Sequence, residues 1–162
     1  PTGDLTELVG TNHPIRRGSW SGAVRVAKDE IVFLPGNSDE ALRFNPVTHE
    51  TSYLLLDAPG AKGEAKGEAK GGGLPTGKET RYHSACLAPN GAIYAAPAFG
   101  TRVLRFDPAS GQASELEVPG CTGRESFGDT VLGADGKVYG VPLGSSQTLC
   151  VDPEAGDAVS LL

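Results

Sequence analysis

The 162-residue chain has no methionine, one tryptophan, three cysteines and an aromatic content of 6%. Without methionine, residue 1 is not a retained initiator, and the chain reads as an excerpt or processed piece of something longer. No apolar run approaches the roughly 20 residues of a membrane-spanning helix, so no membrane span is expected. No charged-then-apolar leader is visible. Cationic excess is also missing. The formal charge is −6, whereas nucleic-acid and anionic-membrane binders need clustered Lys and Arg, so no nucleic-acid partner is expected. Cys86, Cys121 and Cys150 are too few, and odd in number, for a disulfide framework, and they lack the close pairing of a zinc site. Cys86 reads as a small buried hydrophobe, and Cys121 as a loop thiol. No stretch keeps a helical period, no Gly-x-Ser-x-Gly elbow is present, and Gly71-Gly72-Gly73 lacks the Lys-Ser/Thr of a phosphate loop.

What the chain does have is a period. Gly91-Ala92-Ile93-Tyr94-Ala95-Ala96-Pro97 recurs 45 positions later as Gly136-Lys137-Val138-Tyr139-Gly140-Val141-Pro142. Val103-Leu104-Arg105-Phe106-Asp107-Pro108 recurs as Leu149-Cys150-Val151-Asp152-Pro153 at the same spacing. An earlier copy reads Ile31-Val32-Phe33-Leu34-Pro35, then Leu42-Arg43-Phe44-Asn45-Pro46. Each unit carries four short runs rich in β-branched and aromatic residues; in the second they are 84–88, 92–97, 102–107 and 113–118. Asn90-Gly91 and Asp135-Gly136 join the first two runs as strong hairpin signals. Asp107-Pro108-Ala109-Ser110-Gly111 and Asp152-Pro153-Glu154-Ala155-Gly156 join the last two, with Pro presetting φ and Gly closing the turn. Four antiparallel strands in about 45 residues match a β-propeller blade.

The predicted fold is therefore all-β, a single propeller segment over residues 1–162. It comprises blade one at 19–56, blade two at 81–118 and blade three at 126–162, with 1–9 as the outer strand of a preceding blade. Trp20, Tyr82 and Phe127 share one register and read as core. A 17-residue excess between the first and second copies places a Lys/Glu/Gly low-complexity insertion at 59–78, expected to be flexible. Three blades plus one strand make an incomplete ring, since propellers have about 4–8 blades. Further blades are the preferred completion. Another copy of the chain, giving six blades, is the alternative, in which the leading outer strand would compete with the trailing one.

The pattern carried by Asn90-Gly91-Ala92-Ile93-Tyr94 and Val103-Leu104-Arg105-Phe106-Asp107-Pro108 resembles repeats of streptogramin-lyase-like, gluconolactonase-like and kelch-like propellers. The first copy departs from it: Asn45 replaces Asp, His49 replaces the turn Gly, and Lys28-Asp29 replaces the Asn-Gly hairpin. The resemblance implies that loops between second and third strands, at 36–39, 98–101 and 143–146, share one face with the inter-blade connections. That face carries the non-repeating residues Asn12, His13, Arg16, Arg17, Arg81, Arg124 and Glu125, which form the expected binding face for a protein or glycan partner. Gluconolactonase-like propellers hold a divalent metal in the channel, and His83, Glu125 and Asp129 are the candidates for such a site. The leading functional expectation is a non-catalytic binding module with no catalytic residues and no cofactor. The alternatives are a metal-dependent lactonase or lyase acting in the channel, and a structural segment of a large assembly.

Overall fold

The computed structural model describes residues 20–36, 40–55, 81–121 and 126–162. The leading strand expected at 1–9 and the insertion expected at 59–78 lie outside them. Among the described residues twelve strands form three four-stranded antiparallel sheets, each built from consecutive strands. Unit one holds β1 (Trp20–Ala27), β2 (Glu30–Pro35), β3 (Glu40–Phe44) and β4 (Thr51–Leu55). Unit two holds β5 (Cys86–Leu87), β6 (Ile93–Ala95), β7 (Arg102–Phe106) and β8 (Ala113–Glu117). Unit three holds β9 (Phe127–Leu132), β10 (Val138–Pro142), β11 (Leu149–Asp152) and β12 (Ala158–Leu161).

The repeat is a repeat of hydrogen bonds. In the second and third units the first hairpin closes on a glycine with positive φ, Gly91 at 82° and Gly136 at 80°, a backbone state that costs glycine little. Asn90 Oδ1 accepts from the Ala92 amide at 3.0 Å, and Asp135 Oδ1 from the Lys137 amide at 3.3 Å. The second turn is also shared by all three copies. Asn45 Oδ1 accepts from the Val47 and Thr48 amides, Asp107 Oδ1 from those of Ala109 and Ser110, and Asp152 Oδ1 from those of Glu154 and Ala155. Asn45 thus replaces aspartate without losing the acceptor. His49 takes the left-handed position, φ 62°, that Gly111 and Gly156 occupy in the other copies.

Successive side chains on a strand point to opposite faces, and the two faces of unit two have separate partners. Val24, Val32, Leu34 and Ala41 of unit one pack against Tyr82, Ile93, Ala95, Leu104, Phe106 and Ala113 of unit two. Tyr94, Ala96, Val103 and Val118 of unit two, with Cys86 and Leu116 at the margin, pack against Phe127, Val138, Leu149 and Val151 of unit three. The core is therefore two inter-unit layers, with β1, β5 and β9 side by side. The expected register is present, since Trp20 pairs with Pro35, Tyr82 bridges Pro97 and Phe127 pairs with Pro142, but the core reading fits only the last two. Tyr82 and Phe127 are buried, and Trp20, half-buried, donates from Nε1 to the Glu40 carbonyl at 3.1 Å.

Candidate functional site

A ladder of backbone hydrogen bonds brings the loops onto one face. The Arg81 amide donates to the Gly36 carbonyl at 3.4 Å, and the Ala98 amide to the Arg81 carbonyl at 2.9 Å. One period later, the Ser126 amide donates to the Ala98 carbonyl at 2.9 Å, and the Leu143 amide to the Ser126 carbonyl at 3.1 Å. Each residue entering a unit is thus stitched to the second-to-third-strand loops of its own unit and of the preceding one. Arg81 lies at the base of this face, 4% exposed, with Nε donating to the Gly36 carbonyl at 3.4 Å. Asn12, His13, Arg16, Arg17, Arg124 and Glu125 lie outside the described residues.

Beside this ladder lie His83, Phe99 and Leu143. His83 is exposed and meets the Phe99 ring edge-on, with ring centroids 6.4 Å apart. Leu143 is 60% exposed and rests over Gly128, where an added Cβ would lie 3.6 Å from Leu143 Cβ. His83 was expected as a metal candidate, but Phe99 and Leu143 were named only as parts of loops. The sequence did carry a signal for Leu143, a bulky apolar residue in the column that otherwise holds Gly36 and Ala98.

The inner strands hold a polar cluster between units two and three. The Ser84 hydroxyl donates to Asp129 Oδ1, and the Thr130 amide donates to Ser84 Oγ at 2.6 Å and to Asp129 Oδ1 at 2.8 Å. Thr130 Oγ1 accepts from the Ala96 amide at 2.9 Å and donates to the Ser84 carbonyl at 3.3 Å. Between units one and two the Ser21 hydroxyl donates to the Tyr82 carbonyl. Asp129 is exposed, yet one of its carboxylate oxygens is taken by these bonds. Among the described residues no three His, Cys, Asp or Glu side chains gather as a metal-ligating group. Glu125, the third candidate, lies outside the described residues.

Charged side chains also brace the units. Arg43 Nε pairs with Glu30 at 2.8 Å while its Nη2 donates across to the Pro108 carbonyl of unit two. Arg105 Nε pairs across with Asp157 of unit three at 3.0 Å, and the Tyr94 hydroxyl donates to the same carboxylate. Burial and then Asp157 raise the Tyr94 phenol above its ordinary value.

The chain is a segment of β-propeller. Virginiamycin B lyase from Staphylococcus aureus matches with a TM-score of 0.65 at 11% identity, over 93% of this chain and 43% of the other. Kuenenia stuttgartiensis hydrazine synthase matches at TM-score 0.60 and 10% identity, over 95% of this chain and 37% of the other. A protein described as a gluconolactonase matches at TM-score 0.52 and 13% identity, over 88% of this chain and 48% of the other. This propeller segment thus spans less than half the length of each. At these identities the likeness is one of fold, and fold alone does not carry function. No protein-family model matches the sequence, and no curated protein does.

Cys86 is half-buried at the margin of the apolar layer between units two and three. Burial, and then the Asp129 charge, push its thiol up to about 11 from 9.0. At neutral pH it is therefore a thiol, and only thiolate is alkylated readily. Its iodoacetamide labelling, followed by peptide mass spectrometry, is expected to rise about tenfold per pH unit between about pH 8 and 10. Because the folded value lies above the unfolded one, this group's contribution to stability falls as pH rises from about 9 to about 11.

Proposed function

We propose that this propeller segment is a non-catalytic binding module that presents its loop face, around His83, Phe99 and Leu143, to a protein or glycan partner. The observation that carries the reading is a division of labour. The Ser84 and Thr130 hydroxyls and the Asp129 carboxylate serve inter-unit hydrogen bonds, whereas an imidazole in edge-on contact with an aromatic ring, and separately an exposed leucine, lie beside the backbone ladder. Aromatic and apolar groups beside a polar tip are the usual anchors of a recognition surface. The test uses the full chain on arrays of immobilised glycans and peptides. Phe99→Ala and Leu143→Ser are each expected to weaken any captured ligand at least about tenfold, the effect of about 1.4 kcal/mol, with unchanged circular dichroism. Retained affinity in both variants overturns the assignment of the face.

A second reading is a metal-dependent lactonase or lyase, favoured by the exposure of His83, in the segment entering β5, and of Asp129, on the adjacent β9. Calorimetric titration with Ca²⁺ or Zn²⁺ separates the two readings. Stoichiometric binding lost in Asp129→Ala supports the enzyme, and no uptake sinks it.

A further inference from the structure

Of the four asparagines in the chain, only Asn90 is followed by glycine. That pairing favours deamidation, because a residue without Cβ lets its amide nitrogen approach the preceding side chain unhindered. Asn90 and Gly91 are both exposed at the tip of the β5–β6 hairpin. Asn45, by contrast, precedes a proline, which has no backbone N–H to lose in closing such a ring. The Asn90 side chain also carries an inter-unit bond. Its Oδ1 accepts from the Ala92 amide, which fixes Nδ2 as the atom facing Tyr94, and Nδ2 donates to the Tyr94 hydroxyl at 2.9 Å. The hydroxyl gives its own proton across to Asp157 of unit three, which also pairs with Arg105 at 3.0 Å. The relay runs from amide to phenol to carboxylate, and its direction requires a donor at Asn90.

An ionised aspartate at this position has no proton to give. The buried Tyr94 side chain would then hold one proton between two carboxylates. Unit three shows that the corner accommodates the acid. Asp135, in the same column, accepts from the Lys137 amide at 3.3 Å and from the Tyr139 hydroxyl at 2.7 Å. We propose that Asn90 is a deamidation site whose conversion to the acid draws the Tyr94 hydroxyl away from Asp157 and loosens the junction of units two and three. The Gly91 nitrogen attacks Asn90 Cγ, a C–N bond forms as the Gly91 amide proton is lost, and Nδ2 leaves as ammonia. Solvent water then opens the cyclic imide to aspartate or isoaspartate. In the closed hairpin the Gly91 amide donates to the Ala88 carbonyl at 3.0 Å, and both polar atoms of the Asn90 side chain are bonded. Ring closure therefore proceeds from a transiently opened hairpin.

The test incubates the full chain in mildly alkaline buffer and follows its peptides by mass spectrometry. The mass gain of amide-to-acid conversion is expected at Asn90 and not at Asn45. Asn90→Asp supplies one product directly, and its folded-to-unfolded ratio, from urea titration, should fall about tenfold, the worth of one hydrogen bond to a charged group. In a Tyr94→Phe background, which keeps the ring and removes the hydroxyl, the same change should cost less than about twofold. An effect confined to the hairpin would not depend on that hydroxyl. Conversion at Asn90 no faster than at Asn45 overturns the modification site. A cost of Asn90→Asp that is no smaller in the Tyr94→Phe background overturns its link to Asp157.

Discussion

Phe127→Ala is expected to cost about 3–5 kcal/mol of unfolding free energy, the range for truncating a large buried aromatic side chain. Phe127 is 1% exposed and opens β9, opposite Pro142, where it fills the layer between units two and three. Its neighbours there, Tyr94, Val103 and Leu149, sit on strands held by their own ladders. They can move only partly into the vacated space, so the cavity term adds to the lost transfer energy. Urea titration read by circular dichroism measures the change, with Phe127→Leu as the milder control at less than half the effect. An Ala variant within 1 kcal/mol of the parent would show that the layer collapses freely and that its packing is not specific.

Thr130→Val is expected to cost about 1–3 kcal/mol although the two side chains have nearly the same shape. Thr130 is 6% exposed, and its hydroxyl oxygen accepts the Ala96 amide proton while its own proton goes to the Ser84 carbonyl. Valine leaves a buried N–H without its partner, and the desolvation cost of that orphan sets the magnitude. Thr130→Ser keeps the oxygen and should recover most of the stability. The Ala96 amide, followed by hydrogen exchange, should lose protection in the valine variant and keep it in the serine variant. Equal stability of Val and Thr would mean that this bond between units two and three contributes nothing net.

Much of this architecture is legible in the sequence because it rests on local rules written repeatedly. Asn90-Gly91 and Asp135-Gly136 announce hairpins, the Asp-Pro turns announce the outer pair, and a constant spacing fixes equivalent columns. His49 and Asn45 look like decay of the pattern, yet both keep the turn. Histidine enters the left-handed region, and an amide oxygen accepts as a carboxylate does. The candidate site was less legible. Ser84 and Asp129 occupy equivalent positions of successive units. That Asp129 spends an oxygen on Ser84, rather than on a ligand, depends on side-chain rotation that no spacing encodes. Arg43 and Arg105 also share a column, and their inter-unit role splits between a carbonyl and a carboxylate according to what the next unit offers. Leu143 is legible as a bulky residue in the column of Gly36 and Ala98, whereas the edge-on contact of Phe99 with His83 depends on loop conformation that the repeat does not encode.

The two-layer core has a mechanical consequence. Among the described residues only unit two is covered on both faces, so opening it breaks two of these layers, while opening unit one or unit three breaks one. Such a chain behaves as a short row of coupled switches whose ends flip first. Each end unit that loosens also releases its rungs of the loop ladder, so the loop face comes apart from its margins inward. The loops nearest Ala98 are therefore the last part of that surface to lose their shape.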